Sequence, residues 1–258
     1  GFYKADLSIL GGDMTGKAII PIVELGDNTY RTAFLEQEFK LKTKDELAHM
    51  QRVIIDSGYY PYLSSQSELD ELGAHPERVD KIFKRMMLER VQAWMDYADE
   101  RLKQAKAKTY VCPGNDDSFD IDKVIESSKA VIHAEGKITS IDEHHEMINS
   151  GWSNPTPWKT FRECSEAELE QKLTKMISNI KDMKNCIFNL HVPPSGSGLD
   201  EAPELDENLK PKYGGQSLVS VGSTAVKKLV IKHQPLLGLH GHIPVSYTHL
   251  TLPTNREV

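Results

Sequence analysis

Residues 236–242 read LLGLHGH. The apolar run Leu236 to Leu239 predicts a buried strand, and it breaks into His240, Gly241 and His242 at its carboxyl end. In open α/β sheets, ligands collect at the carboxyl ends of strands. The question raised by this stretch is whether other strands end in the same way. Three do: SILGGD ends at Asp13, YVCPGND at Asn115 with Asp116 and Asp117 following, and FNLH at His191. Each stop carries Gly or Pro beside it or shortly after, which predicts loops bending over the sheet edge.

Four strand ends that together supply Asp, Asn, His and His predict one site. Carboxylate and amide oxygens mixed with imidazole nitrogens suit Mn, Fe or Zn better than Ca, which prefers oxygen alone. A two-metal site holds its ions about 3.5–4 Å apart, and a shared carboxylate bridges them. Asp13 is the candidate bridge. In such a site a bridging water, deprotonated near neutral pH, attacks phosphorus in line.

Between these strand ends the pattern alternates. Ala5 to Leu10 reads as a short buried strand. Residues 19–42 read as a hairpin around Gly26-Asp27-Asn28. Thr43 and Glu46 form a capping box that opens a helix to about Ser57. Tyr59 to Glu68 reads as a loop. From Pro76 to Lys106 apolar residues recur at helical spacing, with Trp94 and the methionines expected in the core. Thr109 to Cys112 is a strand. Short strands follow near 130–133, 137–141 and 146–150. Ser165 and Glu168 cap a helix to about Lys184, and Cys186 to Leu190 is a strand. Residues 193–215 form a loop without regular structure, and Ser223 caps a helix to about His233. Strands alternating with helices predict an α/β protein.

The ordered pieces Gly12-Asp13, Gly114-Asn115, His191 and Gly241-His242 resemble the motifs of the calcineurin-like metallophosphoesterases. That family's order is D-x-H, G-D, G-N-H-D/E, a lone His, then G-H-x-H. The resemblance spans most of the chain. It implies a four-layer α/β/β/α sandwich of two mixed sheets, a dinuclear metal site and hydrolysis of a small phosphorylated substrate. It also implies that Asp13 bridges the metals, that Asn115, His191 and His242 complete the second site, and that His240 sits beside it.

The chain departs from that pattern in three places. The D-x-H motif is expected before residue 1. Asp116 stands where the family has His, so Asp116 is the candidate general acid, provided its pKa is raised. Pro244 stands where the last ligating His is expected. The following VSYTHLTLPT reads as a translated sequencing-library adapter, so residues 245–258 are expected to be a non-native tail, and Tyr247 and His249 receive no role. Residues 1–244 are then one domain, incomplete at both ends, with a hairpin and helical excursion over 19–106. Of the two divalent ions the resemblance implies, one site is expected to remain here, with impaired turnover.

Two other functions compete. GGDMTGKA, residues 11–18, nearly matches the phosphate-binding loop G-x-x-x-x-G-K-[ST], but Ala18 lacks the hydroxyl that binds Mg. A noncatalytic scaffold of the same fold is the other. Asp142 to Glu146 reads as a solvated turn, and His49, His75, His133 and His233 as surface or capping residues. Trp152 and Trp158 flank a loop expected near the pocket.

Composition narrows the classes. The 258 residues carry 31 basic and 38 acidic side chains, a net charge of −7. That disfavours a backbone-gripping nucleic-acid binder, which needs a basic face. Cys112, Cys164 and Cys186 are odd in number and widely spaced, which predicts a reducing, cytoplasmic setting. No apolar run is long enough to span a bilayer.

Overall fold

The computed structural model describes residues 5–103, 105 and 107–243. Pro244 and the 245–258 tail lie outside the described residues. The order of elements begins with β1 (Leu7–Leu10), β2 (Ile19–Gly26), β3 (Thr29–Phe34), β4 (Gln37–Leu41), α1 (Lys44–Asp56), β5 (Tyr60–Ser64), α2 (Gln66–Gly73) and α3 (Pro76–Leu102). It continues with β6 (Lys108–Val111), α4 (Asp120–Ser127), β7 (Val131–His133), β8 (Ile138–Ser140), β9 (Glu146–Ser150) and α5 (Glu166–Ile177). It closes with β10 (Cys186–Leu190), β11 (Glu201–Pro203), β12 (Leu218–Ser220), α6 (Thr224–His233) and β13 (Leu237–Leu239). The protein is α/β, and its sheets mix parallel and antiparallel pairs.

Two compact units divide the chain: the described parts of 1–13, 107–119 and 132–258 form the first, and 14–106 with 120–131 the second. The first unit holds two larger sheets, ordered β1-β6-β7 and β13-β10-β9-β8, and the two-stranded β11-β12. Alternation along β9 and β10 divides their side chains between two layers, as the pleat requires. Met147 and Ile187 pack with Tyr110, Cys112 and Leu7 between the sheets. Ile148, Phe188 and Leu190 face the other way, onto Leu169, Leu173 and Ile177 of α5 and Val226 and Leu229 of α6. Each such side chain, fully buried, contributes about 1.5–3 kcal/mol over leaving it in water.

The helix starts follow local chemistry. Ser165 and Glu168 form a complete, reciprocal capping box on α5. Ser223 caps α6, and the Glu166 carboxylate accepts from the N–H groups of Thr224 and Ala225. One acid at the head of α5 thereby also satisfies orphan donors at the head of α6. The helix expected to reach Lys184 ends at Ile177 instead. Ser178 Oγ and Asn179 Nδ2 both donate to the Lys175 carbonyl, and this local side-chain bonding competes with the helical ladder.

The second unit holds the sheet β4-β3-β2-β5 with α1 packed on it through Ile22, Tyr30, Phe34, Met50 and Ile54. The hairpin expected over 19–42 extends to three antiparallel strands. Asp27 and Asn28 both have positive φ, as does the pair Leu35 and Glu36. Two-residue hairpin loops want that geometry, but Leu-Glu gives no sequence signal for it. Tyr59 to Glu68, expected as a loop, contains β5 and the first turn of α2. β5 is an edge strand, where Pro61 is tolerated. The capping box at Thr43 is half made: Thr43 accepts from Glu46 N, while Glu46 accepts from Lys42 N.

Other expectations need correction. Trp94 is 40% exposed, because the buried stripe of α3 is Met87, Val91 and Met95. The helix α4 was not expected; Ile121 and Ile125, four apart, are its buried face. The 193–215 loop contains β11, which pairs antiparallel with β12. His133 is buried, not on the surface. Among the described residues, strands β1 and β13, expected to be buried, lie at sheet edges, with Leu10, Leu236 and Leu237 half exposed. Asp142 to His145 bends outside any strand or helix, with Asp142 accepting from the N–H groups of His144 and His145, while Glu146, expected in the same turn, begins β9.

Candidate metal centre

Parallel pairing brings the four strand ends together. β1 pairs in parallel with β6, and β10 with β13, so each pair points its carboxyl ends the same way. The ladders run past the strands themselves. Cys112 N donates to Leu10 O, which sets Pro113 to Asn115 beside Gly11 to Asp13. Gly241 N donates to His191 O, which sets His242 beside His191. A groove of about 510 Å³ opens here, lined by Asp13, Asn189, His191, His240 and His242 among others.

The side chains converge. Asp13, His191 and His242 each offer a ligand atom within 4.8 Å of the others, and among the described residues no other such group of three is found. His191 Nε2 lies 3.2 Å from Asp13 Oδ2 and 3.0 Å from Asn115 Oδ1. His242 Nδ1 lies 2.7 Å from the same Asn115 oxygen. The two imidazole rings meet edge to face with centroids 5.2 Å apart. The structure thus brings together Asp13, Asn115, His191 and His242.

The remaining candidates stand at the rim. Asp116 is half-buried, and its backbone N–H donates to Asp13 Oδ1 at 3.1 Å. Its side chain is outside the group of three. His240 Nδ1 donates to the carbonyls of Leu190 at 2.8 Å and Val192 at 3.2 Å. His240 therefore lines the groove without joining the ligand group.

The local backbone is held in uncommon conformations. Asp13 has φ 48° and His242 φ 69°. A non-glycine residue in the left-handed region costs on the order of 1 kcal/mol or more and persists where the surroundings enforce it. Gly12, at φ 116°, has no substitute: a Cβ there would collide with the His191 ring and lie 2.8 Å from Gly114 Cα. The close approach of three backbone segments is what packs the ligand set.

The donor set suits one divalent ion. Gly11 O accepts from His191 Nδ1 at 2.8 Å, which fixes the proton on that nitrogen and leaves Nε2 facing the cluster. Metal-ligating histidines are held by just such an outer partner. Burial alone would lower the His191 pKa, but the hydrogen bond and charge of Asp13, with Gly11 O, raise it above its ordinary 6.5. Burial and the neighbouring His191 push His242 down to about 4. Burial likewise lowers His240.

These shifts have opposite consequences. His191 adds stability that is full below pH 6.5 and is lost as pH rises through its raised pKa. His242 costs stability as pH falls from 6.5 to about 4, where the unfolded chain takes up the proton and the folded one does not. A metal needs neutral imidazole, so binding at pH below the raised His191 pKa displaces the His191 proton. Mn²⁺ affinity is expected to rise by about tenfold per pH unit up to that raised pKa and to level off above it. Titrations over that range check this; a flat profile contradicts it.

The residues that hold Asn115 were missed in the sequence. Asn115 Nδ2 donates to Thr160 Oγ1 at 2.7 Å, and Thr160 Oγ1 lies 2.5 Å from Glu163 Oε1. Arg162, fully buried, donates to the carbonyl of Asp117 and stacks its guanidinium 4.6 Å from the Phe119 ring centroid. Its backbone N–H donates to Asn115 O. The loop expected near the pocket was 154–157; the residues that reach Asn115 are Thr160 and Arg162, beyond it, and Trp158 is 63% exposed. Trp152 packs on Phe119 and under Lys172. The near-match to a phosphate-binding loop lacks its helix, because Ile19 begins β2 one residue after Ala18.

The chain is 29% identical over 118 residues to MJ1162, an uncharacterized protein of Methanocaldococcus jannaschii. The match spans 46% of this chain and 46% of that protein, so less than half of the relative's length is covered. No family model matches the chain. No solved structure matches it. No helix among the described residues is long and apolar enough to cross a membrane.

Proposed function

We propose that this protein is a metal-dependent phosphoester hydrolase of the calcineurin-like metallophosphoesterase type. The observation that carries the reading is the convergence of Asp13, Asn115, His191 and His242 at the carboxyl ends of two parallel strand pairs. These four residues would hold a divalent ion, with Mn, Fe or Zn best matched to the donors. Such an ion supplies Lewis acidity and lowers the pKa of water.

The chain's own groups do the rest. Gly11 O keeps the His191 proton on Nδ1. Asn115 presents its oxygen between two imidazoles. His240, lowered by burial, is neutral at pH 7 and offers a small phosphorylated substrate a polar edge without a charge. Asp116 lies next along the chain as the candidate proton donor. The three unpaired cysteines support a cytoplasmic setting.

A second reading, a scaffold that keeps the fold without turnover, is favoured by Asp116 standing where the resemblance expects His. Assay with Mn²⁺ against a phosphomonoester and a phosphodiester separates the two. Hydrolysis that needs Mn²⁺ and is lost in Asp13→Asn supports the enzyme. Metal binding without hydrolysis of either ester favours the scaffold.

A further inference from the structure

We propose that Thr160 and Glu163 form a relay that fixes which face of the Asn115 amide meets the metal ligands. The proposal rests on the metal reading above and adds two positioning residues to it. An Asn side chain has two nearly isosteric ends, a carbonyl oxygen that accepts and an NH₂ that donates. Only the oxygen can ligate a cation. Flipped, Asn115 would turn N–H groups toward His191 and His242 and offer no ligand.

The hydrogen-bond directions leave one choice. Glu163 accepts from two backbone donors, Thr156 N at 2.9 Å and Thr160 N at 2.8 Å. It also lies 2.5 Å from each of the hydroxyls of Thr156 and Thr160. Trp158 N donates to the Thr156 hydroxyl, which therefore passes its own proton on to Glu163. Glu163 is thus an acceptor on all sides, and the Thr160 hydroxyl donates to it. A hydroxyl has one proton. With it committed to Glu163, Thr160 Oγ1 can only accept from Asn115, at 2.7 Å. The NH₂ end is held on Thr160, and the oxygen is left between His191 Nε2 and His242 Nδ1. Asn115 is 2% exposed, so no bulk water offers a substitute partner.

The experiment combines Thr160→Val with Asn115→Asp, and reads Mn²⁺ affinity and the Asn115 side-chain amide by NMR. Thr160→Val keeps the shape and removes the hydroxyl. It is expected to weaken Mn²⁺ binding by about 10–100-fold, the usual effect of losing an outer partner of a ligand. Thr160→Ser is expected to restore it. In an Asn115→Asp background both ends of residue 115 are oxygens, so orientation ceases to matter. There Thr160→Val is expected to change affinity by less than about threefold. An equal loss in both backgrounds overturns the relay and leaves Thr160 a packing residue.

The NMR arm needs no metal. In the metal-free protein the Asn115 NH₂ protons are expected to show contacts to the Thr160 methyl and none to the His242 ring. Contacts to His242 overturn the proposal even if the protein binds Mn²⁺. If the wild-type protein binds no Mn²⁺, the metal reading fails and the amide contacts still decide the relay.

Discussion

His191→Ala is expected to lower Mn²⁺ affinity by more than about 100-fold, because loss of an outer partner alone costs about 10–100-fold and this change removes a ligand atom. His191 is the centre of the cluster. It is almost fully buried, it reaches Asp13 and Asn115 with Nε2, and it anchors Gly241 through its carbonyl. Alanine keeps the backbone bond and deletes the imidazole. The Asp13 carboxylate then loses the imidazole 3.2 Å away, and Asn115 Oδ1 keeps its contact with His242. A competition titration with a fluorescent chelator measures the change. An affinity within about threefold of wild type would place the metal elsewhere.

Gly151→Ala is expected to destabilise the fold by about 3 kcal/mol or more, at or above the usual range for overpacking. A Cβ at residue 151 would fall inside the Pro113 carbonyl, a backbone atom that cannot rotate away. Gly151 N also donates to Glu135 Oε2 at 2.5 Å, and Glu135 holds the Cys112 thiol at 3.2 Å. Relief requires moving Pro113, and with it Gly114 and Asn115. Urea midpoints give the stability loss. Metal affinity measured on the folded fraction is expected to fall too, since Asn115 moves with the loop. A variant of unchanged midpoint would contradict the close approach of these two segments.

Much of this fold is legible from local chemistry. Ser165 with Glu168 and Ser223 mark helix starts because capping is a matter of adjacent residues, and Asp27-Asn28 marks a turn because those side chains tolerate positive φ. Residues ending the strands at Asp13, Asn115, His191 and His242 stand out because a polar group closes an apolar run. What fails is what depends on distant neighbours. Trp94 and Met95 are adjacent on a helix, and helical spacing alone does not say which one turns inward; the buried stripe takes Met95. Leu10 and Leu237 read as core because they are apolar, yet among the described residues each sits on an edge strand, a property of sheet order and not of composition. Pro61 disguised β5 as a loop because the edge position that excuses it comes from tertiary structure.

The same division applies to the site. The ligand types are readable because each sits at a strand end. Their supports are not. Thr160 lies 45 positions from the Asn115 amide it holds, in a stretch with no spacing signal. Buried Arg162 would pass as a surface charge in any composition count, though it grips the carbonyl of Asp117 and packs on Phe119. Glu163 shows the same thing in its acidity. Burial acts to raise its pKa, but the bonds from Thr156 and Thr160 outweigh it and hold the carboxyl below its ordinary value.

Equilibrium dialysis of the metal-stripped protein against Mn²⁺, followed by elemental analysis, tests the metal centre most directly. Retention of a single ion per chain by the wild-type protein, and of none by Asp13→Asn, is the expected result. No retained manganese in the wild type, or equal retention in both, would mean that Asp13, Asn115, His191 and His242 converge for some reason other than a metal.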